Sequence, residues 1–420
     1  MLERMAKLRR LLAVCLLASV LASCSGGLFG SQELWVPPAA TKPPTAVIPT
    51  PRPPTATAVV FQMQPTSTPV PTNTPAPTST GASEELFTLI GPDHFPPDVN
   101  PLTGLFVDDP ALLERRPVAV KVTNFPRSVR PQWGLSLADH VWEYYLEDLM
   151  TRFVGIFYGR NALRVGPVRS GRYFDEHLLR MYKSFLVFAY ADDRVIDHWT
   201  ETDFKNFLII ERPGNCPPMC RFGPKTSYNT LFVDLEALQT YIAERGTDNA
   251  RQNLDGLAFR SLIPSGEPAR RISIRYSIVS HHLWEFDGQT SRYLRSQETQ
   301  DARLGEEIYE PLIDQLTGER VVADNVVVLW VPHEDALDSS DTEAYLLNFI
   351  GQGQGIVFRN GRAIRVLWER GSAASMVNLK MENGSIFLLK PGITWFEVVG
   401  ETSTVEMPEE GSWLIRFAIP

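Results

Sequence analysis

Apolar and polar positions along this 420-residue chain fall into three regimes. Leu11 to Ala22 is a short unbroken apolar run. Residues 37–80 carry no periodicity and hold 13 prolines, 11 threonines and two charges, Lys42 and Arg52. From about residue 85 onward, helical and strand periods alternate. Pro117–Asn124, His140–Leu146 and Thr151–Tyr158 read as strands, being β-branched or aromatic and mostly apolar. Phe174, Leu178, Leu179 and Tyr182 recur at helical spacing between Arg169 and Lys183. Ser184–Tyr190 returns to strand character, and Leu231–Ala243 reads as a second helix.

The second half of the globular part is strand-rich. Ile272–Ser277 alternates, and Asn325–Val331 is a strongly apolar strand. Trp284–Tyr293, Ile356–Trp368 and Val377–Leu389 each carry a turn dipeptide, Asp287-Gly288, Asn360-Gly361 and Asn383-Gly384, which marks hairpins. Gly351-Gln-Gly-Gln-Gly355 precedes a hairpin instead of a helix and reads as a flexible turn, not a nucleotide loop. The expected fold is α+β, with layered β-sheets and helices. A mixed α/β N-terminal part (85–250) precedes a mostly antiparallel β C-terminal part (270–420). The polar, Gly/Pro-containing stretch Gly246–Pro268 is the expected divide.

The N-terminal run acquires meaning from its flanks. Arg4, Lys7, Arg9 and Arg10 precede it, and Leu21-Ala-Ser-Cys24 follows, the layout of a secretory signal over residues 1–23. The run is too short to span a hydrocarbon core of about 30 Å. A cysteine directly after Leu-Ala-Ser resembles the bacterial lipobox, which implies a lipidated Cys24 as the first mature residue. Residues 24–84 then form a disordered Pro/Thr-rich stalk, because repeated proline favours an extended chain that buries little apolar surface. Its proline-rich portion reaches roughly 140 Å when extended.

Without residues 1–23 the chain has 36 basic and 48 acidic residues, a formal charge of −12. That balance argues against nucleic acid as a partner. Outside the cytosol, Cys216 and Cys220, within Pro213-Gly-Asn-Cys-Pro-Pro-Met-Cys220, read as a disulfide; free thiols and a two-thiol metal site are the alternatives. The sequence lacks His-Glu-x-x-His, Cys-x2-Cys, Gly-x-Ser-x-Gly and Gly-x4-Gly-Lys-Ser/Thr. No metal or cofactor is therefore expected.

The candidate chemistry lies in charges on apolar strands. Glu143 shares strand parity with Val141 and Tyr145, and Arg152 shares it with Val154, Ile156 and Tyr158. With Glu147, Arg169 and Arg172 they form a set that must pair internally or face a cleft, since an unpaired buried charge is costly. Three readings are open: an internal Glu–Arg network, a cleft for an anionic or sugar group, and an acid/base pair of Glu143 and Glu147. Ser170 is placed to cap the helix that begins near Tyr173, making an anion site with Arg169 and Arg172. Arg130, beside Pro131 and Trp133, is an expected rim residue of the same cleft. Asn124, at a strand end, sits where loops carry function.

Several of these segments resemble the YerB-like lipoproteins, whose characteristic region is a two-part domain of unknown function. The matching stretches are Asn100-Pro-Leu-Thr-Gly104, Arg116-Pro-Val-Ala-Val120, Arg130-Pro-Gln-Trp-Gly-Leu-Ser-Leu-Ala-Asp139, Val141-Trp-Glu143, Thr151-Arg-Phe153 and Gly166-Pro-Val-Arg-Ser-Gly-Arg172. In the second part they are Gly353-Gln-Gly355, Phe358-Arg-Asn-Gly-Arg-Ala-Ile364 and Lys390-Pro-Gly-Ile-Thr-Trp395. Ala189-Tyr-Ala-Asp-Asp193 departs from the His- and Gly-rich turn of the relatives. The resemblance implies an exported, lipid-anchored α+β body and no assigned reaction. The resulting expectation is a membrane-anchored extracytoplasmic lipoprotein with a non-catalytic binding or scaffolding role at the cell envelope. Its partner would be an anionic wall polymer, a glycan or an envelope protein, and the alternative is an envelope hydrolase using Glu143 and Glu147.

Overall fold

The computed structural model describes residues 88–223, 227–302, 306–335 and 345–419. The signal segment, Cys24 and the stalk lie outside the described residues. The apolar strands expected in the first half are β1 (Val118–Thr123), β2 (His140–Tyr145) and β3 (Thr151–Phe157), each buried along nearly its whole length. Helix α1 (Tyr173–Tyr182), β4 (Phe185–Phe188), helix α2 (Asp193–Thr200), β5 (Leu208–Ile210) and helix α3 (Leu235–Glu244) follow. The second half supplies β6 (Glu267–Arg275), β7 (His281–Asp287), β8 (Arg292–Glu298) and β9 (Asn325–Val331). It continues with β10 (Gly351–Arg359), β11 (Arg362–Arg370), β12 (Asn378–Lys380), β13 (Thr394–Gly400), β14 (Thr404–Glu409) and β15 (Gly411–Arg416).

These strands form two sheets. Sheet I has the order β5-β4-β1-β3-β2-β13-β9-β10-β11-β12. Within it β5, β4, β1, β2, β13 and β9 run parallel, so their carboxyl ends share one edge. Sheet II has the order β14-β15-β6-β7-β8 and joins sheet I where Glu267 and Pro268 pair with Ala363 and Arg362. Among the described residues the body is thus mostly β with three α-helices.

The period-2 alternation of the strands sorts their side chains onto two faces. One face of sheet I, with Val120, Val141, Phe153, Val328 and Trp395, packs in one apolar cluster with Ile272, Trp284 and Trp413 of sheet II and with Leu238 and Ile242 of α3. The other face, with Ala119, Trp142, Val154, Val327 and Phe396, packs with Phe174, Leu178 and Tyr182 of α1 and Trp199 of α2. The Phe174/Leu178/Leu179/Tyr182 stripe is indeed the buried face of a helix.

Three local readings change. Leu231–Val233 is a short strand paired with Met219–Arg221, and α3 begins only after Asp234, whose carboxylate accepts from the Glu236 and Ala237 amides. A capping aspartate was the missed boundary signal. Gly351–Gly355 is not a loose turn; it is the first half of β10, paired residue by residue with β11. Gly353 is needed there because a Cβ would sit 2.5 Å from the Trp368 ring nitrogen. The turn at Asn383-Gly384 forms, but its second arm leaves the hairpin, and Leu388–Leu389 pairs in parallel with Ala258–Phe259.

Candidate functional site

The candidate charges separate onto the two faces of sheet I. Glu143 of β2 and Glu397 of β13 are register partners on adjacent parallel strands, so their carboxylates project side by side toward sheet II. Arg295 of β8 meets them from the opposite sheet, Nη2 donating to Glu143 Oε2 at 2.7 Å and Nη1 to Glu397 Oε1 at 3.3 Å. Thr151 Oγ1 donates to Glu143 Oε1 at 2.7 Å, and Tyr276 and Trp284 donate to Glu397 at 3.1 Å each. His282 Nε2 lies 2.8 Å from Glu397 Oε1. Asn124 joins the network through Thr151 and Gln297 at 2.8 and 2.7 Å. Arg295, Glu143 and Glu397 are all fully buried. Burial pushes the Glu397 carboxyl up to about 7 and the His282 imidazole well below its ordinary value.

Ligand atoms of Glu143, His282 and Glu397 lie within 4.8 Å of one another. A cation there would compete with the Arg295 guanidinium that already holds both carboxylates, so the cluster is internal architecture. Arg130 belongs to the same layer. It donates to the Glu298 carboxylate and carbonyl and to the Asn124 carbonyl at 2.8, 2.8 and 3.1 Å, with a side chain only 7% exposed. It is a buried tie between the two halves of the chain, not a rim residue, and Asn124 is likewise buried rather than presented on a loop.

A different arrangement occupies the carboxyl edge of sheet I. β1 and β4 pair directly only over Val118–Val120 and Phe185–Val187. Beyond that point the segment Val168–Gly171 runs between them: Val168 bridges Val122, the Arg169 amide donates to the Lys121 carbonyl, and the Ala189 and Gly171 amides bond to Arg169 and Tyr190 carbonyls. Such splitting at the carboxyl ends of parallel strands is where open α/β sheets place ligands.

The inserted segment gathers three arginines. Arg152, at the start of β3 and 6% exposed, donates from Nη1 to the Ser170 carbonyl at 3.3 Å. Arg172 donates to the Gly171 carbonyl at 3.0 Å and holds Glu147 through Nε and Nη2. Arg169 donates to Asn229 Oδ1 at 3.0 Å. Burial, then the Arg172 and Arg169 charges, brings Arg152 down to about 9. Burial alone would raise the Glu147 carboxyl, but Arg172 outweighs it and holds the group below its ordinary range. Ser170 does not cap α1. The Arg172 amide donates to Asp175 Oδ2 at 2.8 Å, so the helix closes its own first turn two residues later.

Glu143 and Glu147 therefore do not form an acid/base pair: the first is locked between the sheets, and the second is ion-paired to Arg172. Beneath the arginines, Lys121 contacts Tyr144 Oη and lies 3.0 Å from Asp175 Oδ1, and burial brings it down to about 7. Lys121 and Asp175 were missed, although a lysine within Val118–Val122 is a visible break in an apolar strand. Arg295 and Glu397 were missed because only the sheet-to-sheet contact brings them to Glu143. Cys216 and Cys220 are bonded to each other, tying the preceding loop to the Met219–Arg221 strand, of which Cys220 is the middle residue.

Family models match in two places, the N-terminal domain of "Protein of unknown function (DUF3048)" over residues 102–248 and its C-terminal domain over 272–396. YerB of Bacillus subtilis (strain 168), named as a candidate lipoprotein, is 26% identical over 317 residues, covering 71% of this chain and 85% of YerB. The crystal structure of Bacillus subtilis YerB matches with a TM-score of 0.60 at 24% identity, over 72% of this chain and 96% of that one, a likeness of fold. Among the described residues, no helix is long and apolar enough to cross a membrane. With both parts of the region matched in chain order, this chain belongs to the YerB-like DUF3048 family.

Proposed function

We propose that this chain is an exported lipoprotein, anchored through Cys24 and raised on its Pro/Thr-rich stalk, that binds an anionic partner at the cell envelope without transforming it. One observation carries the reading: Arg152 and Arg172 donate to the Ser170–Gly171 backbone, Arg169 belongs to the same inserted segment, and among the described residues Arg152 and Arg169 meet a carbonyl and an amide oxygen and no carboxylate. One buried and two half-buried guanidinium groups so placed suit a planar or tetrahedral oxyanion, because the guanidinium fork can hold such a group with two hydrogen bonds. The lipoprotein name of YerB supports the anchor.

The test is titration of the full chain in detergent micelles with poly(glycerol phosphate), followed by calorimetry. Saturable binding that weakens with added salt is expected, with Arg169→Ala weakening it about tenfold or more while the melting temperature stays near wild type. Equal affinity of Arg169→Ala and wild type would sink the proposal. Replacing Cys24 by serine should move the protein from the membrane fraction to the soluble one.

A further inference from the structure

The arginine cluster does not stand alone on its edge. Tyr228 is 78% exposed and Tyr190 is 53% exposed, unusual for rings of this size. Both lie against the inserted segment. The Arg169 guanidinium carbon is 6.0 Å from the Tyr228 ring centroid, and the Tyr190 carbonyl accepts from the Gly171 amide. Exposed aromatic rings beside a charged cleft present an apolar face and a polar tip at once.

We infer that this edge binds a phosphorylated saccharide, its phosphate held by Arg152, Arg169 and Arg172 and its pyranose face laid on Tyr228 with Tyr190 alongside. The inference rests on the anion-binding reading above. The charges fit a phosphate: among the described residues Arg152 and Arg169 meet only neutral acceptors, two positive charges against about −1.5 to −2 for a phosphomonoester and one for a carboxylate. The rings fit a sugar better than a nucleobase. A base is bound by burying both of its faces in an apolar slot, whereas the Tyr228 ring, 78% exposed, offers one open face.

Calorimetry on the full chain in micelles, with glucose-1-phosphate, inorganic phosphate, glucose and AMP as probes, decides the matter. Glucose-1-phosphate should bind about tenfold tighter than inorganic phosphate, and glucose alone should not bind measurably. Tyr228→Ala should erase that preference and leave inorganic phosphate unchanged, and Tyr228→Phe should keep it. Arg169→Ala should weaken both phosphate probes together. Equal affinity for the two phosphates, tighter binding of AMP, or an unaltered preference in Tyr228→Ala would overturn the saccharide assignment and leave an anion site standing. Failure of every phosphate probe, poly(glycerol phosphate) included, would overturn the anion reading with it.

Discussion

Two clusters of arginine and glutamate, one on each face of sheet I, have opposite characters. Between the sheets, Arg295 is enclosed by Glu143 and Glu397, Thr151, Tyr276 and Trp284 donate to those carboxylates, and the three charged side chains are sealed from solvent. At the carboxyl edge, Arg172 is ion-paired to Glu147, Arg152 and Arg169 meet only neutral acceptors among the described residues, and Tyr190 and Tyr228 are exposed beside them. The first cluster pairs its guanidinium with two carboxylates; the second leaves Arg152 and Arg169 on neutral acceptors among the described residues. Residue type does not separate structure from function here. The balance of charge and the access of solvent do.

The sharpest way to break the comparison is Arg295→Ala, which strands two buried carboxyls. A loss of about 3–5 kcal/mol is expected by chemical denaturation. A loss below about 1 kcal/mol would show that the inter-sheet network is dispensable. Next in size is a pH effect. The Glu397 carboxyl rises from an ordinary 4.5 to about 7 on folding, so the folded state binds more protons than the unfolded state between those values. Stability contributed by this group is full below about pH 4.5 and is lost as pH rises through 7. Glu397→Gln should therefore gain on wild type by on the order of 3 kcal/mol between those pH values, read from paired denaturation curves. A constant difference across that range would remove Glu397 from the titrating network.

At the edge the expected signs differ. Arg152→Met removes a buried guanidinium flanked by two others, so it should stabilise the fold by on the order of 1 kcal/mol while weakening phosphate binding. A variant that loses both stability and binding would make Arg152 a structural strut. Smallest of all, Tyr228→Ala should change stability by no more than about 0.5 kcal/mol, as for any exposed side chain, and a larger loss in thermal denaturation would place the ring in the core.

Strand and helix positions were largely legible, because β1, β2, β3, α1 and β9 carry strong period-2 or 3.6 patterns over most of their length. The edge cluster was legible too: Glu147, Arg152, Arg169 and Arg172 fall within a short stretch of chain. What was not legible is which face each charge takes. Glu143 was grouped with Arg152 on sequence proximity, yet β2 projects the glutamate toward sheet II, whereas Arg152 lies on the α1 side of β3. Arg130 was misjudged for the same reason, since Glu298, its partner, lies in the other half of the chain. Contacts between sheets leave no local signature in sequence.

The place of β13 also governs when the protein can become itself. His140 sits opposite Thr394, so the centre of sheet I is finished only by a strand from near the end of the chain. A chain that emerges N-terminus first has β2 without its β13 neighbour and with Trp142 and Tyr144 uncovered on that side. Until β13 arrives, the nascent body presents an open, sticky edge, and closing sheet I waits on a strand made late.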